Sequence, residues 1–81
     1  MEPLINESDK ITRWPKRPSE KEDAILFLAS KFNKRKEYSE GEVNDIIEAY
    51  HTFNDTPLLR RELISRKYLS RKDDGSIYWK L

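Results

Sequence analysis

Cysteine is absent from this chain of 81 residues, and glycine occurs only twice, at Gly41 and Gly75. Without thiols there are no disulfides, thiolate zinc sites or cysteine nucleophiles, and the redox compartment leaves no mark. Two separated glycines make no phosphate-cradling loop, and neither Gly-x-Ser-x-Gly nor His-Glu-x-x-His occurs. The single histidine, His51, falls near the end of a helical pattern, where the helix dipole favours a solvated group over a metal ligand. The longest apolar run, Ala24 to Ala29, has six residues, against roughly 20 needed to cross a bilayer. The N-terminus lacks the positive flank and apolar centre of a signal peptide. These absences lead us to expect a cytoplasmic protein that is not an enzyme, with no cofactor, no metal and no membrane partner.

Enough remains to fold one small domain. Apolar residues make up 36% of the chain and charged residues 38%, which is richly charged but outside the disordered class. A chain of this size buries only about 60% of its unfolded surface, so it has no room for a second core. Net charge is +1, but it is unevenly spread: residues 1–55 carry nine Lys/Arg against twelve Asp/Glu, residues 56–81 seven against three. The basic end is the natural place to seek an anionic partner.

Along the chain, residues 1–18 hold Pro3, Pro15 and Pro18 among scattered charges and read as an N-terminal arm, with the domain proper at 19–81. Trp14 should fold back onto the body, since an exposed indole forfeits a large burial gain. Ser19 and Glu22 fit a capping box, so a first helix is expected from there to Phe32 or Asn33, with Ile25, Leu28, Ala29 and Phe32 on one face. Leu26 and Phe27 lie off that face, either under Trp14 or against a partner. Ser39 and Glu42 form a second capping box, with Tyr38 placed to staple Val43. The second helix then buries Val43, Ile46, Ile47 and Tyr50 and turns Glu42, Asp45 and Glu48 outward. Phe53 should plug the short turn that follows.

The last third is the distinctive part. Thr56 suits a helix cap and Pro57 its first turn. Leu59 and Leu63 define the buried stripe. At about 100° per residue, Arg61 and Ser65 fall opposite it, with Arg60 on its flank and Arg66 at its edge. Arg66 can reach Glu62 at i,i+4. Lys67 stands where a glycine commonly ends such a helix, implying strain or a different exit. Residues 69–80 read as a hairpin. A two-residue Asp74-Gly75 turn would pair Lys72 with Ile77 and Ser70 with Trp79. A three-residue loop at 73–75 would pair Leu69 with Trp79 and Arg71 with Ile77, putting Leu69, Ile77 and Trp79 inward, and is the preferred register. Asp73-Asp74-Gly75 is turn chemistry, not a calcium loop. A third strand near Glu37-Tyr38 would complete a small antiparallel sheet.

The runs Trp14-Pro-Lys-Arg-Pro18, Leu28-Ala-Ser-Lys-Phe32, Tyr38-Ser-Glu-Gly-Glu-Val-Asn-Asp-Ile-Ile47, Leu59-Arg-Arg-Glu-Leu-Ile64 and Asp73-Asp-Gly-Ser-Ile-Tyr-Trp79 resemble an uncharacterised bacterial family. It is catalogued as domain of unknown function number two-thousand-eighty-seven, and the resemblance covers about residues 13–80. It implies a winged-helix-like α+β module, found alone or attached to transcription-regulator domains, and supplies no established activity. The Leu59-to-Leu63 run is also similar to the recognition helix of bacterial winged-helix repressors, from which this chain departs at Lys67 and in its acidic second helix.

Two functions are therefore expected in competition. One is a DNA-binding or transcription-associated module in which Arg60, Arg61, Ser65 and Arg66 meet double-stranded DNA from the third helix, and Arg71 and Lys72 from the wing. The other is a protein-interaction or homodimerisation module using Leu26, Phe27 and Leu58.

Overall fold

The computed structural model describes Ile5 and residues 9–81. Pro3 and the rest of residues 1–4 and 6–8, counted above in the arm, lie outside the described residues. The elements run α1 (Pro18–Ala29), β1 (Glu37–Tyr38), α2 (Glu40–Ala49), α3 (Thr56–Ser65), β2 (Leu69–Arg71) and β3 (Tyr78–Lys80). Among the described residues, three helices thus pack with a three-stranded antiparallel sheet of order β1-β3-β2, an α+β architecture.

Helix α2 starts as its sequence dictates. Ser39 Oγ accepts from the Glu42 N–H at 3.1 Å, and Glu42 Oε1 accepts from the Ser39 N–H at 3.0 Å. The Ser39 N–H, and after it the Ser39 hydroxyl, hold the Glu42 carboxyl below the usual range. Helix α1 starts differently. Pro18 opens it behind Arg17, and Ser19 and Glu22 form no capping box; Glu22 is instead committed to residues far along the chain. The helix stops at Ala29, short of the expected end, and the backbone winds on through tighter bonds at Lys31 and Phe32. At α3 the cap is Asp55, whose carboxylate accepts from the Leu58 N–H at 3.4 Å, while Thr56 lies one residue inside and is buried.

The third helix ends on Lys67 with φ +65°. The Tyr68 N–H reaches the Leu63 carbonyl and the Lys67 N–H the Ile64 carbonyl, both at 3.0 Å, which is the double closure of a left-handed helix stop. Lysine therefore occupies the conformation that usually selects glycine.

Ile25, Leu28, Val43, Ile47, Leu59 and Leu63 meet in a core with no solvent exposure, joined by Phe32, Tyr38, Leu69 and Tyr78. Tyr38 packs edge-on against Phe32 at 5.2 Å and accepts from the Asn33 N–H through its hydroxyl at 2.8 Å, fixing the loop into β1. Ile11 belongs to the same core at 0% exposure. Its N–H donates to the Tyr50 carbonyl at 2.8 Å and its carbonyl accepts from the Thr52 N–H at 3.0 Å, so the segment ahead of α1 is clipped to the end of α2. Trp14 lies half-buried against the core, as expected.

His51 is buried, not solvated. Its Nδ1 lies 2.7 Å from the Ile47 carbonyl, and its Nε2 accepts from the Asp55 N–H at 3.0 Å. The first contact requires the proton on Nδ1 and the second a free pair on Nε2. The ring ties α2 to the residue that caps α3, edge-on to Phe53 at 4.9 Å.

The hairpin takes the register set aside above, with Ser70 opposite Trp79 and Lys72 opposite Ile77, not the preferred one. Leu69 faces Lys80, Ser70 faces Trp79 and Arg71 faces Tyr78. The loop has four residues, 73–76. The Gly75 N–H bonds to the Lys72 carbonyl at 2.8 Å, Gly75 takes φ +74°, and the Asp74 carboxylate accepts from both the Ser76 N–H and Oγ. That last pair of bonds draws Ser76 into the loop, and the Lys72 N–H to Ile77 carbonyl bond at 3.0 Å then closes the ladder. Tyr78 joins Leu69 on the inward face, and Ile77 and Trp79 are left half-buried on the other.

Candidate functional site

Helix α3 and the hairpin place the expected DNA-facing residues in two groups. Arg61 and Ser65 stand exposed opposite Leu59 and Leu63, as the helical spacing requires, and Arg71 and Lys72 are exposed on the hairpin. Between them lies a cleft of about 280 Å³ whose walls include Arg60, Arg61, Ile64 and Ser65 from α3, Arg71 and Tyr78 from the sheet, and Glu40 from α2. The twist of the chain back from Lys67 into β2 brings Arg61 and Arg71 onto one concavity.

Arg60 and Arg66 have their guanidiniums bonded to residues of other turns and helices. Arg60 donates from Nη1 to Asn44 Oδ1 at 2.6 Å, and its Nε lies 3.8 Å from Glu40. Glu40 in turn accepts from the Tyr78 hydroxyl at 3.4 Å. Arg60 thus lines the cleft with part of its charge already answered. Arg66 donates to Glu22 at 2.9 Å and to Glu62 at 3.3 Å. Burial opposes the charge on Arg66, and the two carboxylates more than offset it, raising its pKa. The Tyr68 hydroxyl also donates to Glu22. That bond, ahead of Arg66 and against desolvation, holds the Glu22 carboxyl below its ordinary value, and the carboxylate pushes the Tyr68 hydroxyl up.

Sequence reasoning identified Arg60 and Arg66 by helical position but missed Asn44, Glu40, Glu22, Tyr68 and Tyr78. Only Arg66–Glu62 carried a local signal, the i,i+4 spacing; the other partners lie 16 to 46 residues away in sequence. The three apolar residues expected at a protein interface do not act alike. Leu26 is 53% exposed, Leu58 is half-buried, and Phe27 is half-buried edge-on to Tyr50 at 6.1 Å, with the Lys31 ammonium 4.7 Å from its ring centre.

Among the described residues, no group of three or more His, Cys, Asp or Glu gathers where it could hold a metal, and no helix is long and apolar enough to cross a membrane.

No curated protein and no solved structure matches the chain. A family model does, over residues 10–80, a span that takes in Ile11, the Arg61–Arg71 cleft and all three strands. The chain therefore belongs to the family described as uncharacterized protein conserved in bacteria, DUF2087.

Proposed function

We propose that this chain is a cytoplasmic, winged-helix-like module that docks on double-stranded DNA, with α3 as the reading helix, the hairpin as the wing, and a transcription-associated role. The observation that carries the reading is the placement of Arg61 and Arg71, exposed cations from different elements, on the walls of one cleft. Two arginines on the walls of one cleft suit a phosphate, which accepts paired N–H donors from arginine. Lys72 and Lys67 extend the positive charge along the hairpin and the helix end, both exposed.

The contact set implied is narrower than the sequence alone suggests. Arg61, Ser65, Arg71 and Lys72 remain to meet the partner, whereas Arg60 and Arg66 brace the helix. Such a set favours backbone docking over extensive base reading, because phosphate contacts position a protein without reading sequence. Fluorescence anisotropy of a labelled duplex at low salt tests this. Wild type should bind and Arg61→Ala should bind more weakly, with Arg60→Ala losing less affinity than Arg61→Ala. Absence of binding at low salt would remove the reading.

A second reading, an interaction or dimerisation module on the same fold, draws on the exposure of Leu26 on α1. Sedimentation of wild type and Leu26→Glu at high concentration separates the two. A wild type that associates and a variant that does not would favour this reading.

A further inference from the structure

We propose that the segment ahead of α1 carries a second, separate site, in which Trp14 stacks on an unpaired base of a single-stranded nucleic acid while Arg13, Lys16 and Arg17 hold its phosphates. The side chains of Arg13, Trp14, Pro15, Lys16, Arg17 and Glu20 line a cleft of about 340 Å³, within the size class of small-molecule sites, roughly 300–1,000 Å³. Its chemistry has two parts. Trp14, half-buried against the core, and buried Pro15 give an apolar wall that is fixed in place, because Ile11 is clipped to Tyr50 and Thr52 just upstream. Around that wall stand three cations, and among the described residues one carboxylate, Glu20, pairs with them. Glu20 lies 3.5 Å from Arg13 and 3.9 Å from Arg17, long separations shared by two guanidiniums, and the Arg17 side chain is 82% exposed. Lys16 is exposed beside them, and the Lys21 ammonium sits 5.8 Å from the indole centre.

A positive excess around an indole fits a ligand in which flat π-systems alternate with anions, as they do along a single strand. An acidic peptide would answer the charge but leave the indole without a stacking partner. A duplex would answer the charge, but its bases are already stacked. The site shares no lining residue with the Arg61–Arg71 cleft, so it stands or falls separately from the duplex reading.

The test uses the full chain with Trp79→Phe, which leaves Trp14 as the sole indole. Titrated at low salt with a short oligothymidylate, the Trp14 emission should quench saturably, and the affinity should fall as salt is added. An abasic strand of the same length should bind at least about tenfold more weakly, since each stacked base contributes substantially. The triple variant Arg13→Gln/Lys16→Gln/Arg17→Gln, changed only outside the core, should lose the quenching. In an Arg61→Ala/Arg71→Ala background the quenching should persist. The proposal is overturned by no quenching at low salt, by equal binding of the abasic strand, by equal quenching with polyglutamate, or by loss of quenching in the Arg61/Arg71 background.

Discussion

Arg60 donates from Nη1 to Asn44 Oδ1 at 2.6 Å, which turns an arginine on the flank of the third helix into a fastening between that helix and the second. The Arg60 side chain is only 23% exposed, and Glu40 stands 3.8 Å from its Nε. A double-mutant cycle over Arg60→Ala and Asn44→Ala should return a coupling of about 1 kcal/mol in unfolding free energy, as for a partly buried hydrogen bond to a charged donor. Urea denaturation measures it, and additive single effects would contradict the assignment.

Glu22 joins the first helix to the end of the third through Tyr68 and Arg66. Its carboxyl is held below the ordinary value in the folded chain. The contribution is therefore present above the unfolded carboxyl pKa and lost as pH falls through the lower folded value. Stability of wild type should drop as the solution is acidified through that window, and Glu22→Gln should flatten this part of the profile. Tyr68→Phe should flatten it partly, leaving Arg66 as the remaining partner. Denaturation midpoints measured from neutral to acid pH decide it, and profiles of equal steepness would contradict it.

Lys67 holds φ +65° at the helix stop. A residue with a Cβ pays roughly 1–2 kcal/mol in that conformation, which glycine avoids. Lys67→Gly should stabilise the fold by about 0.5–1 kcal/mol after glycine's greater freedom in the unfolded chain is deducted. Thermal or urea unfolding reads the sign directly. A loss of stability would mean that the lysine side chain contributes more than its backbone strain costs.

His51 is buried with both ring nitrogens in hydrogen bonds, one to the amide of the residue that caps the third helix. His51→Phe keeps a ring of similar size and leaves the Asp55 N–H without its acceptor. The expected loss is about 1–3 kcal/mol in unfolding free energy. Amide exchange at Asp55 and Leu58 should quicken in the variant, and unchanged protection would contradict the role given to the ring.

What the sequence disclosed follows the range of the interactions. The Ser39–Glu42 box, the Val43–Ile47 and Leu59–Leu63 stripes and the outward set of Arg61 and Ser65 arise within one or two helical turns, and all stand as read. The third strand expected at Glu37–Tyr38 is present, paired along the edge of β3. Of the two hairpin registers, apolar alternation favoured the wrong one. Loop length turned on a side-chain bond from Ser76 to Asp74, and the expected alternation of Leu69, Ile77 and Trp79 left out Tyr78, whose hydroxyl reaches Glu40 while its ring is buried. Ile11, the Arg60–Asn44 bond and the Glu22 network each depend on contacts made between distant stretches. No local pattern announces such contacts, and so the bonds that Arg60 makes to the second helix and Arg66 to the first were not foreseen.

The salt dependence of duplex binding tests the Arg61–Arg71 face most directly. Anisotropy titrations of one labelled duplex at several salt concentrations should give a linear fall of log affinity with log salt. In Arg61→Ala/Arg71→Ala that slope should shrink by roughly two units, one for each phosphate contact removed. A slope equal to that of wild type, or a wild type that does not bind at the lowest salt, would contradict the claim that these two residues dock the chain on nucleic acid.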